Sequence, residues 1–255
     1  MRRITAKDRR GADMKLAGLF KKKNEVPHCS AVIVAAGSSQ RLGSDKTMME
    51  LGSMPVLART LRVFQQSELV DEIIVVARRE KLTEVADLCK KYGVDKVSKV
   101  ISGGATRMES ALAGVSEVNS RAKLIAIHDG VRPLVTQELI SRTVYAAAEY
   151  MAAVPVIRSV DTLKQVDDQK TVVGSVDREH TLRVQTPQVF HADIIKGALT
   201  VAVNRGLTFT DDCSAVELMA VKTHVVPGDE DNIKLTTPRD LLFASAILRD
   251  RGDAL

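Results

Sequence analysis

The stretch from Ala31 to Lys46, AVIVAAGSSQRLGSDK, constrains this chain most, because it joins an apolar strand to a basic glycine loop. Its first six residues are small or β-branched and uncharged, which is typical of a strand buried on both faces of a parallel sheet. At Gly37 the strand gives way to a flexible turn with free backbone amides, and the turn carries Arg41 and Lys46 past the strand's carboxyl end. This arrangement predicts a phosphate-binding loop.

The spacing within the loop excludes two common phosphate-binding motifs. A Walker A loop places Lys-Ser/Thr directly after its second glycine, whereas here Ser44 and Asp45 separate Gly43 from Lys46. The dinucleotide fingerprint requires a glycine where this chain has Ser39. The remaining pattern, A-A-G-x3-R-x-G-x2-K, resembles the signature loop of the sugar-phosphate nucleotidyltransferases. Taken alone, it is equally compatible with a glycine-rich turn that carries solvated basic side chains.

The distribution of charge argues against a nucleic-acid partner. The formal net charge is +5, but residues 1–28 hold nine Lys and Arg against three Asp and Glu, so the rest of the chain is close to neutral. Aromatic residues make up only 3% of the chain and Trp is absent, which excludes the stacking platforms that bind single-stranded nucleic acid. We therefore expect no nucleic-acid partner.

We interpret residues 1–28 as a basic, mostly disordered tail that precedes one domain over residues 29–255. The tail lacks the apolar region of a signal peptide, and nothing in the chain approaches the ~20 apolar residues of a membrane span. Two alternatives stay open for the tail. Met14 is one candidate for the true start, and Leu16, Leu19 and Phe20 are candidates for a short helix that touches an anionic surface.

The three cysteines indicate a reducing, cytoplasmic compartment. Cys29, Cys89 and Cys213 are odd in number, far apart and without C-x-x-C spacing, so they do not read as a disulfide framework or a metal site. Cys213 has no flanking base, which disfavours a thiolate nucleophile.

Strand and helix patterns alternate over the first 150 residues and predict an α/β fold, a single Rossmann-like domain with a mostly parallel sheet and helices on both faces. Ligands bind such sheets beyond the carboxyl ends of the strands. Later segments are shorter, and Asp167-Asp168-Gln169 reads as the turn of a hairpin between Thr162–Val166 and Thr171–Val176. We predict that residues 158–180 form a projecting β-hairpin arm.

Two motifs at strand ends carry chemistry. Gly103-Gly104, with Arg107 and Ser110 after it, forms a second glycine turn. In the segment H-D-G-V-R-P, Asp129 follows an apolar strand directly, where a carboxylate can hold Mg²⁺ or a ribose hydroxyl, and Arg132 stands three residues later. We interpret His128 as a structural residue.

Weaker signals follow in the second half of the chain. Asp211-Asp212 reads either as a metal pair or, with better support, as a solvated cap before a helix that starts near Ser214. Ser53-Met54-Pro55 reads as the cap of an earlier helix.

From Ala31 to about Leu248 the chain resembles the 2-C-methyl-D-erythritol 4-phosphate cytidylyltransferases of the non-mevalonate isoprenoid pathway. The resemblance is carried by eight motifs in register: A-A-G-x3-R-x-G-x2-K, G-G-x2-R-x2-S, H-D-x-x-R-P, D-T-x-K, V-D-R, T-P-Q, T-D-[DE] and D-N-I-K. Four positions depart from frequent choices in that family, namely Asp45 and Thr47 beside Lys46, Gly130, and Ala105.

The resemblance implies roles for individual residues. It implies that four basic residues act in catalysis, two stabilising the transition state (Arg41 and Lys46) and two positioning the methylerythritol phosphate (Arg178 and Lys234). It also implies that CTP is bound by Ala35, Ala36, Gly37, Gly104, Ser110, Asp129 and Arg132, and that the sugar-phosphate pocket is lined by Thr162, Thr186 and Thr210.

The resemblance further implies transfer of CMP from CTP to a sugar-alcohol phosphate, Mg²⁺ as the cofactor held by Asp129, and a homodimer in which the arm brings Thr162 and Arg178 to the partner's pocket. Two rival functions stay open at this point. One is a ribitol-5-phosphate cytidylyltransferase, but the motifs D-T-x-K and D-N-I-K favour the methylerythritol enzyme. The other is a non-catalytic nucleotide-binding module, which is disfavoured because all four basic residues with implied catalytic roles are present.

Overall fold

The structure is a computed structural model that describes residues 28–37 and 45–253. Its strands are β1 (Cys29–Val34), β2 (Glu50–Leu51), β3 (Met54–Pro55), β4 (Val70–Ala77), β5 (Val97–Ser102), β6 (Leu124–Asp129), β7 (Ala152–Arg158), β8 (Lys164–Val166), β9 (Val172–Ser175), β10 (Leu182–Val184), β11 (Gln188–His191) and β12 (His224–Pro227). Its helices are α1 (Val56–Gln66), α2 (Leu82–Lys91), α3 (Arg107–Ser116), α4 (Gln137–Tyr150), α5 (Ala192–Asn204), α6 (Cys213–Glu217) and α7 (Pro238–Asp250), with a 3-10 turn at Arg79–Lys81. The expected disordered tail, apart from His28, and the loop residues Ser39, Arg41 and Gly43 lie outside the described residues.

The main sheet has eight strands and confirms the predicted α/β fold. Strands β6, β1, β4 and β5 are neighbours and parallel, and β12 runs parallel to β7. Strands β10 and β11 are antiparallel to β7, and β11 also joins β7 to β6. Val156 pairs with Val184 on one side and Pro227 on the other, so β10 and β12 lie along opposite edges of β7.

Helices cover both faces of this sheet. In β1, Ala31 and Ile33 point into a core with residues of α1, α2 and α4, whereas Val32 points into a second core with residues of α3, α5 and α6. This alternation explains the uninterrupted apolar sequence of β1 from Ala31 to Val34, since both faces of the strand are buried. It also places the end of β1 in the middle of the carboxyl edge of the sheet.

Two strands were missed from the sequence, and one predicted helix cap was wrong. Strands β10 and β11 were not anticipated, because both are short and lie between polar segments, where no period-2 pattern develops. Ser53 is not a helix cap, since the cap position of α1 is Pro55. Backbone carbonyls satisfy the first amides of this helix: Val56 N donates to Met49 O at 2.9 Å and Leu57 N to Thr47 O at 2.9 Å.

The predicted hairpin is present. Strands β8 and β9 form a two-stranded antiparallel sheet of their own, and their turn is closed by a bond from Asp167 N to Thr171 O at 3.0 Å. Its apolar side chains are exposed, at 58% for Val166, 57% for Val172 and 62% for Val173. Across the described residues, no helix combines the length and apolar character that crossing a membrane requires.

Candidate active site

Two adjoining cavities open at the carboxyl ends of the parallel strands. The first, of about 600 Å³, is bordered by the end of β1, the Lys46 segment and the start of α3. The second, of about 450 Å³, lies toward β10, β11 and α6. Three charged residues line both cavities, namely Arg107, Asp129 and Lys234. The two cavities therefore meet at one cluster of charge.

The two glycine turns pack against each other at the floor of the first cavity. Ala35 N donates to Val76 O at 2.7 Å, and Gly103 N donates to Ala77 O at 2.9 Å, so both turns are tied to the end of β4. A Cβ atom at Gly103 would lie 2.5 Å from the Cβ atom of Ala36. The close approach of the turns therefore requires glycine at this position.

The amino end of α3 is capped by its own residues. Thr106 and Glu109 form a capping box, and Oε2 of Glu109 accepts from the amides of Ala105 at 2.6 Å and Thr106 at 3.1 Å. Gly104 N donates to the hydroxyl of Ser110 at 3.1 Å. Because a carboxylate already occupies this helix end, an anion in the first cavity would have to be bound by the basic side chains that line it.

Asp129 ends β6 and is the centre of the shared charge cluster. Its Oδ2 atom lies 2.9 Å from Nζ of Lys234 and 3.4 Å from Nε of Arg132, and its Oδ1 atom lies 3.4 Å from Nε of Arg107. Burial by itself would raise the pKa of Asp129, but the three surrounding cations outweigh burial and hold that pKa well below its usual range. The carboxylate is therefore charged at neutral pH.

Arg107 links the first cavity to α6 through a bidentate ion pair. Its Nη1 and Nη2 atoms lie 2.9 and 2.8 Å from the carboxylate oxygens of Asp212, whose side chain is buried. Burial opposes the charge of Arg107, but Asp212 and Asp129 raise the pKa of its guanidinium above the ordinary value. Asp212 is 1% exposed and its side chain makes no helix-cap hydrogen bond, so its interpretation as a solvated cap was wrong.

Asp211 has the capping role that the sequence suggested for the pair. Its Oδ1 atom accepts from the amide of Ser214 at 3.3 Å and from the hydroxyl of Ser214 at 2.5 Å. Its Oδ2 atom accepts from Nε2 of Gln188 at 3.3 Å.

A buried hydrogen-bond network supports the second cavity. Nε2 of His128 donates to Arg132 O at 3.2 Å, so its Nδ1 atom accepts from the hydroxyl of Thr186 at 3.0 Å. Arg132 Nη1 donates to Asn232 O at 2.7 Å, and Asn232 Nδ2 donates to Thr186 O at 2.8 Å. Burial lowers the pKa of His128 to about 3, so the ring is neutral at physiological pH.

Most predicted site residues come together at the two cavities. The first cavity is lined by Ala35, Ala36, Gly37, Lys46, Gly104, Ser110, Asp129 and Lys234, and the second by Asp129, Arg132, Thr186, Thr210 and Lys234. Thr162 and Arg178 lie elsewhere, exposed on the arm, where Arg178 Nη2 donates to Val160 O at 2.8 Å. The predicted role of Arg41 falls outside the described residues.

The residues of the first cavity could hold a magnesium ion whose other ligands are phosphate oxygens. Asp129 is the one acidic side chain that lines the first cavity in the described part of the chain, and no group of three or more His, Cys, Asp or Glu residues there could hold a metal. Mg²⁺ is commonly bound by one or two carboxylates together with substrate phosphates. Asp129 can supply that single carboxylate.

Cys213 is unsuited to covalent catalysis, as its sequence context indicated. Its thiol is buried and lies 3.4 Å from Oε1 of Gln188. Burial, reinforced by Asp211 and Asp212, raises the pKa of this thiol far above its ordinary value.

Comparison with known proteins gives a consistent result. A family model described as 2-C-methyl-D-erythritol 4-phosphate cytidylyltransferase matches residues 29–250. The relative of that name from Halalkalibacterium halodurans is 41% identical over 224 residues, which cover 87% of this chain and 97% of the relative. The one from Symbiobacterium thermophilum is 39% identical and covers 88% of this chain and 94% of the relative. The solved structure of 4-diphosphocytidyl-2C-methyl-D-erythritol synthase from Anaerococcus prevotii has a TM-score of 0.78 at 31% identity, and the match covers 88% of this chain and 97% of that chain.

Proposed function

The chain belongs to the 2-C-methyl-D-erythritol 4-phosphate cytidylyltransferase family, and on that basis we propose that it transfers CMP from CTP to 2-C-methyl-D-erythritol 4-phosphate. The products are 4-diphosphocytidyl-2-C-methyl-D-erythritol and pyrophosphate, and the reaction serves isoprenoid precursor biosynthesis. The observation that carries this proposal is the junction of two cavities at Asp129, Arg107 and Lys234, where two phosphorylated substrates can meet.

The reaction requires charge stabilisation and not a covalent nucleophile. A phosphate oxygen of the acceptor attacks the α-phosphorus of CTP in line, and the bond to pyrophosphate breaks. Negative charge grows on the non-bridging and leaving oxygens. Preorganised cations stabilise such charge and commonly supply several kcal/mol.

In this scheme CTP occupies the first cavity and the sugar phosphate occupies the second. Lys46 borders the first cavity, and we assign it, together with Arg41, to the triphosphate. Lys234 borders both cavities and can contact the acceptor phosphate while Asp129 holds its ammonium group. Arg132 also lines the second cavity and adds a further cation beside the acceptor.

Magnesium is part of the same proposal. Asp129 would hold the ion together with phosphate oxygens of CTP, and the ion would then neutralise phosphate charge. The ion pair with Lys234, at 2.9 Å, would keep this carboxylate oriented toward both cavities.

We also propose a homodimer in which the arm of one subunit completes the site of the other. Thr162 and Arg178, to which the family resemblance gives substrate contacts, are exposed on the arm and outside both cavities. An isolated two-stranded hairpin with exposed valines is marginally stable and gains from a second surface. A two-fold mate would supply that surface and would place each arm at the partner's site.

A cytoplasmic location fits the cysteines. Cys29, Cys89 and Cys213 are separate, buried thiols. Unpaired buried cysteines are typical of a reducing compartment, so we propose that the enzyme works there.

The direct test of the activity follows the phosphorus atoms by ³¹P NMR. The purified protein with CTP, Mg²⁺ and 2-C-methyl-D-erythritol 4-phosphate should give free pyrophosphate and a new diphosphate diester in equal amounts. Omission of the acceptor should abolish pyrophosphate release. Binding of CTP without any new phosphorus signal would instead indicate a nucleotide-binding module.

A further inference from the structure

We propose that Arg78 and Asp45 form a positioning pair that fixes Lys46 at the nucleotide cavity. The proposal rests on the function proposed above, because it assigns a second layer of residues to the lysine that faces the triphosphate. Neither residue lines the cavity; both would act through Lys46.

Asp45 closes a turn around Lys46. Its Oδ1 atom accepts from the backbone amide of Thr47 at 3.1 Å and from the hydroxyl of Thr47 at 2.7 Å. Its backbone carbonyl accepts from Met48 N at 3.1 Å. Asp45 thus holds the residues on the far side of Lys46 through three hydrogen bonds, which is the geometry of an Asx turn.

Arg78 ties this turn to the sheet. It follows β4 directly, and its Nη2 atom donates to Oδ2 of Asp45, the oxygen that Thr47 does not use. The side chains of Arg78 and Asp45 are only 28% and 15% exposed, so water screens their attraction less than it screens a surface pair. The second acidic neighbour of Arg78 is Glu80, at 3.6 Å and 65% exposed.

The lowered pKa of Asp45 is consistent with a stable ion pair between Asp45 and Arg78 at neutral pH. Burial tends to raise the pKa of Asp45, but the hydrogen bonds from Thr47 and the charge of Arg78 outweigh burial and lower that pKa below its usual range. The carboxylate therefore remains ionised throughout the neutral range.

Thr47 provides a second anchor on the other side. Its side chain is 7% exposed, and its carbonyl accepts from Leu57 N at the start of α1 at 2.9 Å. Lys46 is consequently flanked by one residue held to the end of β4 and one held to the start of α1. This arrangement restricts the backbone of Lys46, so that binding CTP requires less ordering of the loop.

The test compares Arg78→Met with Arg79→Met, a matched change at the neighbouring arginine, which is exposed. Loss of the tether should lower kcat about 10- to 100-fold, since misplacing a catalytic group by about 1 Å can cost that much. Arg79→Met should leave kcat unchanged. Arg78→Lys, which keeps a charge beside Asp45, should recover most of the loss.

A double-mutant cycle separates positioning from general structural damage. If Arg78 acts through Lys46, adding Arg78→Met to Lys46→Ala should lower kcat no further. Asp45→Asn keeps the acceptor for Thr47 but removes the charge, so it should resemble Arg78→Met.

The results distinguish an error in the proposed role of Arg78 and Asp45 from an error in the proposed role of Lys46. A slow Lys46→Ala enzyme beside a fully active, folded Arg78→Met enzyme would overturn the positioning pair and leave the proposed function intact. Additive losses in the cycle would also overturn it. Full activity of Lys46→Ala would contradict the proposed role of Lys46 itself, and any effect of Arg78→Met would then need another cause.

Discussion

Nζ of Lys234 lies 2.9 Å from Oδ2 of Asp129, at the boundary between the two cavities. Lys234 is 41% exposed at its side chain and Asp129 8%, so the carboxylate is fixed inside the protein while the ammonium group reaches the cavity. Because Asp129 ends a central strand, this pair anchors the partly exposed ammonium group of Lys234 to the sheet.

The first prediction concerns that support. Asp129→Asn removes the carboxylate that faces Arg107, Arg132 and Lys234. It should lower kcat about 100-fold through loss of the oriented Lys234 and of the proposed magnesium ligand. Steady-state pyrophosphate release measures this, with Asp87→Asn on the exposed face of α2 as the control. Unchanged kcat in a folded Asp129→Asn protein would remove Asp129 from the mechanism.

Lys46→Ala is expected to lower kcat by roughly 10²- to 10³-fold, as is typical for loss of one preorganised contact to developing negative charge. The matched control is Lys90→Ala, a lysine exposed on α2 away from the cavities. Circular dichroism should show the same helix content in both variants. If only KM for CTP rose, Lys46 would serve ground-state binding and not the transition state.

The third prediction is a dependence of stability on pH. The pKa of His128 is lowered from 6.5 to about 3 in the folded protein, so below pH 6.5 the unfolded chain binds the additional proton. The free energy of unfolding should therefore fall as pH is lowered, by up to about 1.4 kcal/mol per pH unit from this residue.

Urea denaturation at pH 7.5, 6.0 and 5.0 measures that slope. His128→Gln is expected to be less stable at every pH, because it loses the contact with Phe64 and the bond with Thr186, but its slope should be shallower. Equal slopes for His128→Gln and the unmodified protein would mean that His128 is not buried in its neutral form.

Complementation tests the shared site. Lys46→Ala and Arg178→Ala chains, each strongly impaired alone, should regain up to about half of the native activity per dimer after subunit exchange, because a heterodimer contains one intact site. A mixture of two Lys46→Ala preparations is the control. Confirmed heterodimers without recovered activity would place each complete site within one chain, and a monomer by light scattering would exclude the homodimer.

The sequence predicted those parts of the site that are local. Asp129 was identifiable because an acid that follows an apolar strand lies at the carboxyl edge of a parallel sheet. The bond between Arg107 and Asp212 joins residues 105 positions apart, and no local pattern encodes it. The same holds for Arg78 and Asp45, which only the adjacency of β1 and β4 brings together.

For the fold, too, local elements were predictable from the sequence, whereas elements that depend on distant pairing were not. Long apolar strands and amphipathic helices were recognisable, and the apolar pattern predicts a helix over about residues 137–150, which are the observed limits of α4. Strand β10 has three residues, of which Arg183 and Val184 are exposed, so its place in the sheet depends on tertiary pairing with β7 and not on its own pattern.

The measurement that tests the central claim most directly is the ratio of kcat/KM values for two acceptors, 2-C-methyl-D-erythritol 4-phosphate and ribitol 5-phosphate, with CTP and Mg²⁺ held constant. We expect the ratio to exceed about 100, since sites that hydrogen-bond a particular polyol discriminate strongly against one that leaves buried polar groups unpaired. A ratio near one, or a preference for ribitol 5-phosphate, would contradict the proposed substrate.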